Sequence, residues 1–209
     1  MERWVLLRKG ADFEAIGKKY QISPRLACLI RNRDVIGEEA IERYLNGTIS
    51  DLYDGMLMKD ADKAIDILKE KIAEEKKIRV IGDYDIDGVN ATYILLEGLE
   101  RLGAYVDSDI PDRIGDGYGL NRHLIDRAYD AGIDTIITCD NGIAAANEIA
   151  YGKELGITII VTDHHEIPFD EIDGEKIYRL PPADAVIDPK QKDCVYPFKG
   201  LCGAAVAYN

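Results

Sequence analysis

Three short stretches concentrate side chains able to hold a cation. Gly82-Asp83-Tyr84-Asp85-Ile86-Asp87-Gly88 sets carboxylates at alternate positions between glycines, Cys139-Asp140-Asn141-Gly142 adds another, and Thr162-Asp163-His164-His165-Glu166 puts two imidazoles beside further carboxylates. Brought together, so many like charges repel and demand a counter-cation. Carboxylate with imidazole suits a divalent transition metal such as Mn2+, whereas an all-oxygen set leans towards Mg2+ or Ca2+. Two ions sharing a carboxylate suit hydrolysis of a phosphate ester, one at the attacking oxygen and one at the leaving oxygen.

Each stretch has a rival reading. Asp83-x-Asp85-x-Asp87-Gly88 matches the first half of an EF-hand loop, but Ile94 stands where the bidentate glutamate belongs and a strand, not a helix, precedes it, so that reading is rejected. Asp85-Ile86-Asp87-Gly88-Val89 is similar to the nucleophile motif of haloacid dehalogenase-type phosphatases, which leaves His164 and His165 without a role and stands as the runner-up. Asp140 or Asp163 taken singly reads as a helix N-cap. His123, in the capping region of a predicted helix, reads as structural. The joint occurrence at successive strand ends carries the case.

Those strand ends follow from the pattern. From residue 78 onward short apolar runs alternate with helical periodicity, the signature of βαβ units and a parallel sheet. Strands are predicted at 78–81, 104–106, 135–138 and 158–161, with a weaker one at 185–187; helices fall at 89–102, 122–131 and 144–155. Ligands of open α/β sheets bind beyond the carboxyl ends of strands, where all three stretches lie. Residues 166–183, with Pro168, Pro181 and Pro182, read as a long surface loop. Before residue 78 the chain reads as helical. Ser23-Pro24 is a cap followed by proline at the first helical position, with Leu26, Leu29 and Ile30 on one face, and Ala61, Ala64, Ile65, Leu68 and Ile72 recur at helical spacing. The expected organisation is a small helical region, 1–77, leading into a three-layer α/β domain with a mainly parallel sheet, 78–209.

Composition narrows the function classes. The 209 residues, 46% hydrophobic, suffice for a real core. Cys28, Cys139, Cys194 and Cys202 are scattered, which argues against a disulfide framework or a zinc finger and for a reducing cytoplasm. The N-terminus has too short an apolar run for a signal peptide, and no segment reads as a membrane span. A net charge of -13 argues against a whole-surface grip on nucleic acid, so any nucleic-acid contact must be local, through cations and a few arginines, or be supplied by other parts of the protein.

At these residues the sequence resembles the DHH phosphoesterases, a family named for the triplet Asp163-His164-His165. Asp83-Tyr84-Asp85-Ile86-Asp87-Gly88 is similar to the family's first motif, Asp140 to its second and Asp163-His164-His165 to its third, in order and spacing. Within the family the likeness is to the single-stranded-DNA exonucleases. It is carried by Arg113 with Gly117-Tyr118-Gly119-Leu120-Asn121, by Tyr196-Pro197-Phe198-Lys199 and Leu201-Cys202-Gly203, and in the lead-in by Ser23-Pro24-Arg25-Leu26-Ala27 and Leu57-Met58-Lys59-Asp60. The resemblance implies Mn2+ or Mg2+-dependent 5′-to-3′ hydrolysis of single-stranded DNA in recombination and repair. By motif, Asp83 and Asp85 each bind one ion of a pair, Asp140 bridges them and His164 ligates the second. His165 faces the scissile phosphate and Arg113 clamps it, a solvated loop arginine being the equal alternative. Asp87, Asn141 and Asp163 are expected behind the ligands, Asp87 orienting Asp83 or Asp85. Single-stranded DNA is the implied partner, with a single-strand-binding protein as a second and no membrane.

The family's fourth motif, a further metal-binding aspartate after Cys202-Gly203-Ala204-Ala205-Val206-Ala207, is not reached before Asn209, and Asp188 lies too early to replace it. The expectation is therefore a piece of a longer protein that folds, binds at most one metal ion well and has little or no nuclease activity of its own. Other DHH activities on short RNA, cyclic dinucleotides or pyrophosphate share these ligands. A non-catalytic interaction module, its acidic edge merely solvated, predicts no stabilisation by Mn2+.

Overall fold

The computed structural model describes residues 3, 5, 9–115, 117, 119–172 and 174–209. Most of the amino-terminal stretch 1–8, and Tyr118 of the glycine-flanked loop, thus lie outside the described residues. The chain forms two compact units, Met1–Leu52 and Tyr53–Asn209. The first contains α1 (Phe13–Tyr20), α2 (Pro24–Asn32) and α3 (Glu38–Asn46). Ser23 caps α2 by accepting from the Leu26 amide, with Pro24 at the first turn where its missing N–H is harmless. The buried face of α2 differs from the expected one: Ala27 and Ile30 are buried, whereas Leu26 and Leu29 remain exposed. Three-residue spacing puts Ala27 with Ile30, and the larger leucines fall beside that stripe.

The second unit holds α4 (Ala61–Ala73), β1 (Lys77–Ile81), α5 (Ile86–Arg101), β2 (Tyr105–Asp109), α6 (Arg122–Asp130), β3 (Thr135–Cys139), α7 (Ala146–Glu154), β4 (Thr158–Thr162), β5 (Phe169–Ile172), β6 (Glu175–Tyr178), β7 (Ala185–Ile187) and α8 (Gly203–Tyr208). Five strands form one parallel sheet in the order β2-β1-β3-β4-β7. Both faces are covered, as a parallel sheet requires. Alternate residues of β3 and β4 supply the two cores. Ile136, Ile159 and Val161 face Leu124, Ile125 and Ile149 of α6 and α7, while Ile137, Cys139 and Ile160 face Ala64 of α4 and Ala91 and Leu99 of α5. Each isoleucine, leucine or valine among them contributes about 1.5–3 kcal/mol when fully buried.

The segment 166–183 corrects the expected loop: β5 and β6 pair antiparallel, Phe169 opposite Tyr178. Its strands are exposed on both faces, so no alternation marks them, although Gly174, just before β6, has φ +82°. For the site, the sheet order matters most. The chain leaves β1 towards β2 on one side and returns to β3 on the other, opening a crevice at the carboxyl ends of β1 and β3.

Candidate metal centre

Strand register delivers the acidic residues to one row. Ile81 pairs with Thr138, Thr138 with Val161, and Val161 with Val186. Just beyond each of these, at the same offset along the chain, stand Asp83, Asp140, Asp163 and Asp188, all buried. A buried carboxylate is costly unless its charge is met, and the four are met differently.

Asp163 is fully engaged. Its Oδ2 accepts from the Ile143 amide at 2.9 Å, and its Oδ1 accepts from the His164 amide at 2.7 Å and lies 2.7 Å from Nδ1 of His165. Burial pushes this carboxyl up, but the His165 contact and these amides outweigh burial and hold it below the ordinary range. Asp163 in turn raises the His165 imidazole above its usual value.

Asp83 and Asp140 are left wanting. Oδ1 of each is buried and accepts no hydrogen bond. Burial raises Asp83, with Asp85 adding to the shift and the Tyr84 amide opposing it. Burial, reinforced by the charges of Asp87 and Asp85, pushes Asp140 up to about 7. Nε2 of His164 stands 2.9 Å from Oδ1 of Asp140, near but not aligned as a hydrogen bond. Asp140 takes a left-handed φ of 60°, which aspartate tolerates, and so turns its carboxylate towards β1 and β4 alike.

Among the described residues two groups of prospective ligands result, Asp83 with Asp85 and Asp140, and Asp140 with His164 and His165; within each, one donor atom per residue lies within 4.8 Å of the others. They share Asp140. The donor set fits a pair of hard-to-borderline divalent cations, because oxygens that lack protein donors and imidazole nitrogens are the ligands such ions take. Residues 77–209 match the family described as the DHH family, N-terminal domain.

The chain belongs to the DHH family.

The single-stranded-DNA-specific exonuclease RecJ of Bacillus subtilis (strain 168) is 39% identical over 208 residues, covering 99% of this chain and 25% of that protein. A crystal structure of exonuclease RecJ bound to manganese is similar at 34% identity and TM-score 0.60, covering 72% of this chain and 36% of the other. RecJ of Thermus thermophilus in complex with Mn2+ is similar at 27% identity and TM-score 0.65, covering 98% of this chain and 27% of that one. The chain thus spans about a quarter of the curated relative's length. Membership in the DHH family removes the dehalogenase alternative, which left His164 idle. Here that imidazole sits against Asp140, and Oδ1 of Asp85 accepts from the Asp87 and Gly88 amides as the N-cap of α5.

Several residues depart from expectation. Asp87 does not bond Asp83 or Asp85 through its carboxylate. Its oxygens accept from the Gly203 and Ala204 amides at 2.6 and 2.8 Å, and Oδ2 lies 3.5 Å from Nε2 of His164. Burial would raise Asp87, but those two amides hold it below the ordinary range. The first turn of α8 is thereby pinned to the site, so closely that a Cβ on Gly203 would stand 2.7 Å from Asp140 Cβ. Asn141 donates to the carbonyls of Ile81 and Cys139, stitching β1 to β3, and supports no carboxylate by that bond. Arg113 lies over the Tyr84 ring, 5.2 Å from its centroid, and its charge partly offsets the burial of Asp83. His123 sits in the first turn of α6 and in neither ligand group. Asp188 joins neither group; burial pushes it up to about 7, and its Oδ2 lacks a partner. Its place on the row was hidden because β7 is only three residues long.

Proposed function

We propose that residues 78–209 form the metal-binding domain of a phosphodiesterase that removes nucleotides 5′-to-3′ from single-stranded DNA in the cytoplasm, in recombination and repair, and that residues 1–77 lead into it. The observation that carries this reading is the pair of ligand groups sharing Asp140. Support for the substrate comes from relatives named as single-stranded-DNA-specific exonucleases, and for the ion from the manganese in similar structures.

In this reading Asp83 and Asp85 would each hold one Mn2+ or Mg2+, Asp140 would serve both, and His164 would hold the second. When bound, such ions neutralise charge developing on the attacking and leaving oxygens of the phosphate. The chain supplies the rest. Asp163 holds Nδ1 of His165 and shifts the imidazole towards its cationic form, in which it would donate to a phosphate oxygen. Arg113 adds a second cationic donor. Asp87 keeps α8 against Asp140, and Asn141 holds the crevice between β1 and β3. With a net charge of -13, DNA contact stays at this edge, and a single-strand-binding protein is the matching partner for presenting the strand.

Calorimetric titration of the chain with Mn2+ tests the centre: two sites are expected, at most one of them tight, and both are lost in Asp140→Asn. Joining the chain to the remainder of the B. subtilis relative and digesting end-labelled oligonucleotides tests the substrate. Mn2+-dependent release from the 5′ end of single strands is expected. Preference for short RNA, a cyclic dinucleotide or pyrophosphate would redirect the substrate while leaving the centre intact, and no Mn2+ binding would leave only an interaction module.

A further inference from the structure

Arg113 is held in an unusual way. No carboxylate of a described residue lies within ion-pair distance of its guanidinium, although the edge it faces is strongly acidic; its contact is the ring of Tyr84, 5.2 Å from the centroid. A cation over an aromatic face is attracted by the ring quadrupole and spends none of its N–H donors. On both sides the arrangement is built. Tyr84 stands between Asp83 and Asp85, in the turn that presents both carboxylates just before the N-terminus of α5. Arg113 stands in a turn fixed by Asp112, whose Oδ1 accepts from the Ile114 and Gly115 amides at 2.9 and 2.7 Å.

We propose that Tyr84 is a positioning residue, its ring carrying the Arg113 guanidinium at the acidic edge with its N–H donors kept for a nucleotide phosphate. The inference rests on the metal-centre reading above, because bound cations are what allow a phosphate to approach these carboxylates. An ion pair would hold Arg113 as well but would consume the donors that a phosphate needs. The aromatic shelf holds the charge and leaves the donors to the ligand.

The test is a double-mutant cycle on the Mn2+-loaded chain, titrated calorimetrically with thymidine 5′-monophosphate. Arg113→Met is expected to weaken nucleotide binding about tenfold, as loss of a charge-assisted contact does. Tyr84→Leu is expected to weaken it about three-fold, the size of an exposed cation–π contact. In the Arg113→Met background Tyr84→Leu should add nothing. With Arg113 present, Tyr84→Phe, which keeps the ring, should bind the nucleotide as the wild type does. Mn2+ affinity is measured first for each variant, and every nucleotide titration is run at saturating Mn2+. The proposal is overturned if the Tyr84→Leu loss persists without Arg113, if Tyr84→Phe behaves like Tyr84→Leu, or if the Mn2+-loaded wild type takes no nucleotide. Failure to bind Mn2+ at all would instead sink the metal-centre reading beneath it.

Discussion

Asp140 is the residue on which the account turns, and its buried charge has a consequence for stability. In the unfolded chain a carboxyl titrates near ~4; in the folded chain Asp140 is pushed up to about 7, as is Asp188. Between these values the folded state holds protons that the unfolded state has released. The metal-free protein is therefore expected to lose stability as pH rises from about 4 to about 7, read by denaturant unfolding across that window. Asp87 and Asp163, held below the ordinary range, act in the opposite sense: their contribution is present above about 4 and lost in stronger acid. Asp140→Asn removes the charge without changing the shape. It should flatten the fall towards neutral pH and raise the melting temperature of the metal-free chain, while abolishing stabilisation by Mn2+. A flat profile in the unmodified chain would show that Asp140 is not strained by burial.

At the scale of elements, α8 packs Ala204, Val206 and Ala207 into the core, and its first turn is fixed by one carboxylate. Asp87→Ala removes the acceptor of the Gly203 and Ala204 amides, and is expected to cost about 1–2 kcal/mol in chemical denaturation. Gly203→Ala sets a methyl against Asp140 and should cost a similar amount while weakening Mn2+ binding, with Asp140 forced to move. Neither contact was legible in the sequence, because residues 87 and 203 lie far apart in the chain and nothing local pairs them. The five parallel strands were legible, since short runs rich in β-branched residues, such as Thr135–Cys139, alternate with helical periodicity. So was the convergence of Asp83, Asp85, Asp140, His164 and His165, which follows from strand ends in one sheet. What stayed hidden lacked a pattern. The β5–β6 hairpin is solvent-exposed on both faces, β2 runs on to Asp109 through polar residues, and Asn141 reads as a ligand helper until its bonds to Ile81 and Cys139 are seen.

For the whole molecule, every residue of both ligand groups lies in the unit Tyr53–Asn209. A protein comprising residues 53–209 should therefore bind Mn2+ with the affinity of the longer chain; a loss beyond tenfold would mean that residues 1–52 help to build the centre. No helix among the described residues is long and apolar enough to cross a membrane. Mn2+ at a hundred times its dissociation constant should add about 2.7 kcal/mol of stability per site. The shared carboxylate is tested most directly by anomalous diffraction from crystals soaked in Mn2+. Two peaks are expected, both touching Asp140, one completed by Asp83 or Asp85 and the other by His164. A map with no peak at the carboxyl ends of β1 and β3, or with ions that avoid Asp140, would contradict the account.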